Sequence, residues 1–137
     1  MAKLKPAYVI IGAGHAGISA AENLRKLDPK IPITIIDNDP DSFYYRAGLK
    51  HFVKKHINEN QLAGRPQNYL KKFKISFLRQ KAIKIDIESK KVILDDEKAQ
   101  PYIKLLLATG GTPFIPPIPG KELQGVYPLQ LYKMQRI

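Results

Sequence analysis

Residues 7–24 read AYVIIGAGHAGISAAENL and place three glycines between an apolar run and a helical pattern. The β-branched run before Gly12 is typical of a buried parallel strand. Beyond Gly17, apolar side chains recur at helical spacing as far as Leu27, and two prolines soon afterwards end that pattern. The stretch therefore predicts a strand, a glycine turn and a helix in immediate succession.

A second apolar strand follows in IPITIIDND, and it stops at Asp37. A strand, a turn, a helix and a second strand within about 30 residues form a βαβ unit, here over residues 7–37. We therefore predict an α/β fold with a Rossmann-like parallel sheet.

The glycines have the spacing Gly12-x-Gly14-x-x-Gly17. In a dinucleotide-binding turn, the first glycine allows a tight turn and the second lets a pyrophosphate approach the backbone. The third lets the helix pack close to the strand. The helix then begins beneath the phosphates, so the backbone N–H groups of His15 and Ala16 and the positive end of the helix dipole favour an anion.

Asp37 ends the second strand 25 positions after Gly12, close to the spacing of about 20 residues expected for a carboxylate that binds an adenosine ribose. An acid at this position favours free 2′-hydroxyls and repels a 2′-phosphate. A glycine turn can also be purely structural, but the strand, the helix and the acid together favour dinucleotide binding. The spacing alone does not separate FAD from NAD.

The composition of the 137-residue chain, with 44% hydrophobic and 26% charged residues, is typical of a globular protein with a sizeable core. No apolar run approaches the length of about 18 residues that a membrane span needs. The apolar run near the N-terminus is short and enters a glycine turn, unlike a secretory signal. We therefore predict a cytoplasmic protein that does not interact with membranes.

The chain has no cysteine, which excludes disulfides, thiolate metal sites and a redox-active cysteine pair. Any electron transfer would therefore need a bound cofactor. The histidines His15, His51 and His56 lack the spacing of metal ligands, so we predict no metal site.

The net charge is +11, and residues 46–91 hold 13 Lys and Arg against three acids. Such a stretch could bind nucleic acid or another polyanion. The scarcity of aromatic residues there and the lack of a nucleic-acid motif favour a solvated surface, or one that faces an acidic partner. Nucleic acid is therefore a disfavoured partner.

The middle of the chain has a weak helical pattern, a polar loop over residues 58–67 and a short helical segment, NYLKKFK. From Ile75 the pattern alternates, which predicts a small β-meander over about residues 75–107. In it Ile83, Ile85 and Ile87 would form one side of a half-buried strand. The apolar run KLLLATGG would return to the central sheet.

Four prolines in eight residues make the segment after Thr112 extended. We therefore expect a partial nucleotide-binding domain over residues 1–114. Residues 115–137 would form a proline-rich exit segment.

Three motifs carry a family resemblance. They are VIIGAGHAGISAA, in which the small Ala21 falls four residues after Gly17, FYYRAGLKHFV, and YIKLLLATGGTPFIPPIPG. Together they resemble the N-terminal FAD-binding portion of the FAD-dependent pyridine nucleotide-disulfide oxidoreductase-like family. The resemblance is closest to its NADH-dependent ferredoxin, rubredoxin and nitrite reductase branch, and it covers essentially the whole chain.

The resemblance implies an NAD(P)H-dependent flavoprotein oxidoreductase in which electrons pass through FAD. By the same resemblance, residues 1–114 would be a partial FAD-binding domain of the FAD/NAD(P)-binding domain type, incomplete at its C-terminal end, and residues 115–137 would lead toward a missing NAD(P)H domain. The resemblance also assigns roles by position along the chain. The implied pyrophosphate contacts are Gly12, Gly14, His15, Ala16 and Gly17, the ribose contacts are Asp37 and Asn38, the phosphate-binding guanidinium is Arg46, the adenine contact is the Ala82 backbone, and Ala108, Thr109 and Gly110 pass close to the cofactor.

Several of these positions keep a simpler interpretation. Arg46 could form a surface ion pair, and Ala82 could be an ordinary strand residue. Thr109 and Gly110 could do no more than end a strand.

The chain also departs from the family pattern. Members often carry Ser-Lys after the Arg-x-x-Leu motif, with the lysine near the flavin, whereas Lys50 and His51 occupy those places here. The family's second glycine motif for NAD(P)H, its flavin-contacting Gly-Asp segment and its interface domain are not found in the 137 residues.

We therefore expect these residues to be catalytically incomplete alone and to leave a sheet edge open for a second copy or a complementary chain. The alternative is a non-catalytic dinucleotide-binding or partner-docking module, and a polyanion-binding basic protein is less favoured.

Overall fold

The computed structural model describes residues 4–39, 44–63 and 68–129. The described chain forms two compact units, one with residues 4–39 and 68–110 and the other with residues 44–63 and 111–129. The elements are β1 Ala7–Ile11, α1 His15–Leu27, β2 Ile33–Ile36, a 3₁₀ turn at Arg46–Gly48, α2 Leu49–Val53, α3 Glu59–Leu62, α4 Tyr69–Lys72, β3 Ile75–Leu78, β4 Ala82–Asp86, β5 Lys91–Leu94 and β6 Ala99–Leu107.

The first unit contains one six-stranded sheet with the order β3-β2-β1-β6-β5-β4. β3, β2, β1 and the second half of β6 run parallel, whereas β4, β5 and the first half of β6 form an antiparallel meander. The predicted α/β fold, with a Rossmann-like parallel sheet and a small meander, is confirmed. The return of the KLLLATGG run to the central sheet is confirmed too, since Leu105–Leu107 pair with Val9–Ile11.

The sequence predicted that the meander begins near residue 75, but β3 belongs to the parallel part of the sheet. Ile75–Leu78 pair parallel with β2, with Ile33 opposite Ile75, and the meander begins only at Ala82. An alternating pattern fits either kind of strand, because both have a period of two. The partner of β3 is set by packing and not by that pattern.

The alternation predicted for the three isoleucines of β4 is also interrupted. A β-bulge lies between Ala82 and Lys84, and Ile83 is 57% exposed. Ile87 lies beyond the end of the strand and is 77% exposed, whereas Ile85 is half-buried opposite Val92. A bulge adds one unpaired residue to a strand, and this is why Ile83 leaves the buried side.

The core of this unit lies on both faces of the parallel strands. One cluster joins β1 and β2 to β5, and it is formed by Ala7, Val9, Ile36, Val92 and Leu94. On the other face, α1 packs on β1 and β2 through the buried Ile18 and Ala21. The helix begins and ends where the sequence predicted it.

Arg25 connects the end of α1 to the turn before β3. Its guanidinium donates to the carbonyl oxygens of Phe73, Lys74 and Ile31 at 2.9 Å each, and to that of Asp28 at 3.1 Å. The Asp28 carboxylate in turn accepts the backbone N–H groups of the two residues that follow Pro29. The hydrogen bonds from the Lys30 and Ile31 amides, of which that from Lys30 has the larger effect, hold the pKa of the Asp28 carboxyl below its usual value.

The second unit holds the 3₁₀ turn, α2 and α3, together with residues 111–129, which form no helix or strand. α3 lies inside the segment predicted as a polar loop, and a capping box formed by Asn58 and Gln61 explains its start. Residues 64–67 of that loop and residues 130–137 of the predicted exit segment lie outside the described residues.

Within the described ranges, no helix has the length and apolar character needed to cross a membrane.

We expect Arg25→Ala to lower the free energy of unfolding by about 2 kcal/mol, because four carbonyl oxygens lose a charged donor. Urea unfolding with an unchanged m-value would measure this loss. The control is Lys26→Ala, at the neighbouring exposed position of the same helix, which should change stability by less than about 0.5 kcal/mol. Equal stabilities of the two variants would contradict this role of Arg25.

Candidate functional site

The glycine turn is built by close backbone contacts at the carboxyl end of β1. Gly12 has a φ of +105°, and a Cβ there would lie 2.7 Å from the carbonyl carbon of Ala108. A Cβ on Gly17 would overlap the Gly12 carbonyl group and lie 3.3 Å from Ile10 Cγ2. Both positions therefore require glycine for the fold itself.

Gly14 differs from the other two glycines of the motif. It is the N-cap of α1, and a Cβ on it would meet no atom of the chain within 4 Å. No side chain caps this end of the helix, and its first turn holds no acid. The amides of the exposed His15 and Ala16 begin the helix, where backbone N–H groups have no partner within the helix. This side of the turn is thus open, and no side chain among the described residues caps it.

The Asp37 carboxylate lies against the glycine turn. Its Oδ2 accepts the Ala13 N–H at 2.5 Å, and its Oδ1 accepts the Asp39 N–H at 2.8 Å. The Asp37 backbone N–H donates to the Leu78 carbonyl at 3.1 Å, so β3 fixes the residue in place. The acid predicted from the sequence and the glycine motif are therefore adjacent, while Asn38 beside it is exposed.

The end of β6 is part of the same arrangement. The Ala108 N–H donates to the Ile11 carbonyl at 2.8 Å, and this bond brings Ala108 against Gly12. Thr109 and Gly110 follow as exposed residues, with a φ of +73° at Gly110. The structure thus joins the start of the Ala-Thr-Gly segment to the glycine turn.

Ala82 occupies the first position of β4, opposite Leu94 and directly before the bulge. It is half-buried and packs against the same apolar cluster as Ile11. Its predicted backbone contact with adenine stays a prediction.

Arg46 belongs to the second unit, where it begins the 3₁₀ turn and is exposed. Its guanidinium carbon lies 5.4 Å from the centroid of the Tyr44 ring, within range of a cation–π interaction. Lys50 and His51 are exposed on α2 of the same unit. A role of Arg46 toward the phosphates stays a prediction.

A cavity of about 790 Å³ lies in the second unit, between the α2–α3 region and residues 125–129. Its lining residues include Phe52, His56 and Tyr127. None of the predicted site residues lines this cavity. The predicted site at the end of β1 is therefore separate from the residues that line this cavity.

Ala13 is a residue of the turn that the sequence pattern did not indicate. Its amide binds Asp37, and the residue is 1% exposed. A backbone amide is present at every position except proline, so no side-chain pattern indicates it. The only signal is the small residue between two glycines.

A family model described as pyridine nucleotide-disulphide oxidoreductase matches residues 6–135. The nitric oxide reductase FlRd-NAD(+) reductase of Klebsiella pneumoniae is 38% identical over 121 residues, which are 84% of this chain and 31% of that protein. An NADH oxidase of Lactococcus lactis is 33% identical over 131 residues, 91% of this chain and 29% of that protein.

Solved structures agree with these relatives. The ferredoxin reductase for the CYP199A2 system from Rhodopseudomonas palustris superimposes with a TM-score of 0.84 at 29% identity, over 95% of this chain and 33% of that one. The chain therefore belongs to the pyridine nucleotide-disulphide oxidoreductase family, and the resemblance seen in its three motifs is confirmed. It spans about a third of the length of these relatives.

We expect Gly12→Ala to destabilise the protein by about 3 kcal/mol, because the new Cβ is strained at positive φ and collides with Ala108. Gly14→Ala should leave stability nearly unchanged, since its Cβ meets only open space. Urea unfolding of both variants measures the difference. Equal losses at the two positions would show that the turn differs from the one described.

Proposed function

We propose that this chain binds FAD, with the diphosphate on the glycine turn and the adenosine ribose at Asp37. The observation that carries this proposal is the bond from the Ala13 amide to the Asp37 carboxylate, which joins the turn to the acid. The open side of Gly14 and the uncapped start of α1 support the same location for the diphosphate.

The chemistry of the turn suits a diphosphate that carries a sugar. The first amides of α1 and the positive end of its dipole favour a negative group, by about 0.3–1 kcal/mol for the dipole alone at a surface. A carboxylate offers about four acceptor sites on its two oxygens. Asp37 uses two of them for backbone amides, so two remain for ribose hydroxyls.

The choice of FAD over NAD rests on the family and on the motif. Ala21 is fully buried against the sheet, four residues after Gly17, as in the FAD version of the glycine motif. FAD, when bound, supplies the exchange of electrons between a nicotinamide and an acceptor. The protein positions it and sets its electrostatic surroundings.

The whole reaction is a proposal for a protein that also holds a nicotinamide site. We propose that such a protein is an NAD(P)H-dependent flavoprotein oxidoreductase in which the 137 residues supply the flavin site. They carry one motif of the Gly-x-Gly-x-x-Gly type, so we expect little oxidation of NADH by these residues alone. The cytoplasm stays the predicted location, on the sequence grounds given above.

The experiment is a titration of the protein with FAD, followed by flavin absorbance and fluorescence. We expect Gly14→Ala to stay folded and to weaken FAD binding at least tenfold, because its Cβ points where the diphosphate approaches. Tenfold corresponds to about 1.4 kcal/mol.

The matched control for this titration is Asn23→Ala. Asn23 is an exposed, uncharged residue in the third turn of α1, away from the start of the helix. We expect this variant to bind FAD as the parent does. A parent protein that ignores FAD would overturn the cofactor proposal, whereas equal affinity of Gly14→Ala and the parent would overturn the location.

We also propose that the free edge of β6 is covered by a second copy of the chain or by a complementary chain. β6 pairs with β5 only as far as Pro101, so from Leu105 onward its alternate backbone groups have no strand partner among residues 4–39, 44–63 and 68–129. Leu106 and Leu107 are 40% and 60% exposed. An exposed apolar edge of this kind is a template for strand addition.

Sedimentation velocity at increasing protein concentration tests the second-copy form of this proposal. We expect a concentration-dependent dimer that Leu107→Lys weakens, because a charge on the edge opposes strand pairing. Leu27→Lys is the control, at an exposed leucine at the end of α1. A monomer at every concentration would overturn the second-copy form of the proposal.

A further inference from the structure

We infer that Asp37 is a positioning residue, whose carboxylate holds the glycine turn in its phosphate-binding shape before any ligand arrives. This inference rests on the proposed function, since the shape concerned is that of the proposed diphosphate site. It assigns Asp37 a task separate from contact with a ribose.

The geometry that carries the inference is a carboxylate held on both oxygens. Oδ2 binds the Ala13 N–H at 2.5 Å, and Oδ1 binds the Asp39 N–H at 2.8 Å. Because β3 also holds the Asp37 backbone through the Leu78 carbonyl, the carboxylate has little freedom to turn away. Asp37 therefore acts on the turn from a fixed position.

The turn needs such support at its centre. Its ends are fixed by the bond from the Gly12 N–H to the Ile36 carbonyl, at 2.8 Å, and by that from the Ile18 N–H to the Gly14 carbonyl, at 3.0 Å. Between these ends Ala13 is flanked by two glycines, the residues with the greatest backbone freedom. A bond from the Ala13 amide to a charged acceptor restricts that freedom.

The Ala13 amide would also be costly to leave without a partner. The residue is 1% exposed, so little water can replace the carboxylate. A buried N–H that loses its acceptor keeps its full desolvation penalty. Without Asp37 we therefore expect the turn to open toward water or to change its conformation.

Inorganic pyrophosphate separates this role from a ribose contact, because it has the anion and no sugar. If Asp37 served only the ribose, its removal would take a negative charge away from the anion site, and pyrophosphate would bind equally well or more tightly. If Asp37 positions the turn, its removal weakens pyrophosphate binding in spite of the lost repulsion. The two interpretations predict opposite signs.

The first measurement is hydrogen exchange of the Ala13 amide by NMR in the ligand-free protein. We expect Asp37→Ala to speed this exchange at least tenfold relative to the Ile10 amide in the core. Asp28→Ala is the matched control, because its carboxylate also accepts two backbone amides, at 2.9 and 3.0 Å, in a turn elsewhere. That control should leave Ala13 exchange unchanged, and an unchanged rate in Asp37→Ala would overturn the inference.

The second measurement is the affinity for inorganic pyrophosphate by calorimetry. We expect about tenfold weaker binding in Asp37→Ala and no weakening in Asp28→Ala, which raises the net charge by the same amount. Equal or tighter binding in Asp37→Ala would overturn the inference.

Two further observations keep the test decisive. If Asp37→Ala does not fold, Asp37→Asn keeps the shape and one acceptor oxygen, and we expect a smaller rise in Ala13 exchange. No rise in that variant would overturn the inference. If the parent protein binds neither pyrophosphate nor FAD, the proposed function fails, while the exchange of the Ala13 amide still decides what Asp37 does to the turn.

Discussion

The structure depends on how closely the backbone of Gly12 approaches the backbone at the end of β6. No side chain fits between Gly12 and Ala108, so the first turn and the Ala-Thr-Gly segment meet as bare main chain. This contact places the start of α1 beside the ends of β1, β2 and β6. The proposed binding residues come from distant parts of the sequence, and they meet there because parallel strands end at one edge of a sheet.

The three glycines of the motif do different physical work. Gly12 and Gly17 serve the fold, since a methyl group at either would overlap backbone. Gly14 keeps space open on the outside of the turn. The structure thus distinguishes two glycines that the fold requires from one whose Cβ position is open.

The sequence predicted the βαβ unit and the bounds of α1 because local signals decide both. A glycine turn starts the helix, and Asp28 and the following prolines end it. The adjacency of Asp37 and the turn followed from the same unit.

The features that the sequence could not predict were decided by packing over longer distances. The parallel partner of β3 and the bulge that exposes Ile83 leave no mark on an alternating pattern. The bond to Ala13 uses a backbone amide and leaves no side-chain signature.

β6 is a single nine-residue strand that belongs to two pairing patterns. Its first residues pair with β5 of the meander, and its last residues pair with β1. A bulge near Ile103 separates the two halves. β6 therefore connects the meander directly to the glycine turn, so a displacement of the meander would be transmitted along β6 to that turn. Damage to β5, far along the chain from Gly12, would for this reason alter the main chain where the nucleotide is proposed to sit.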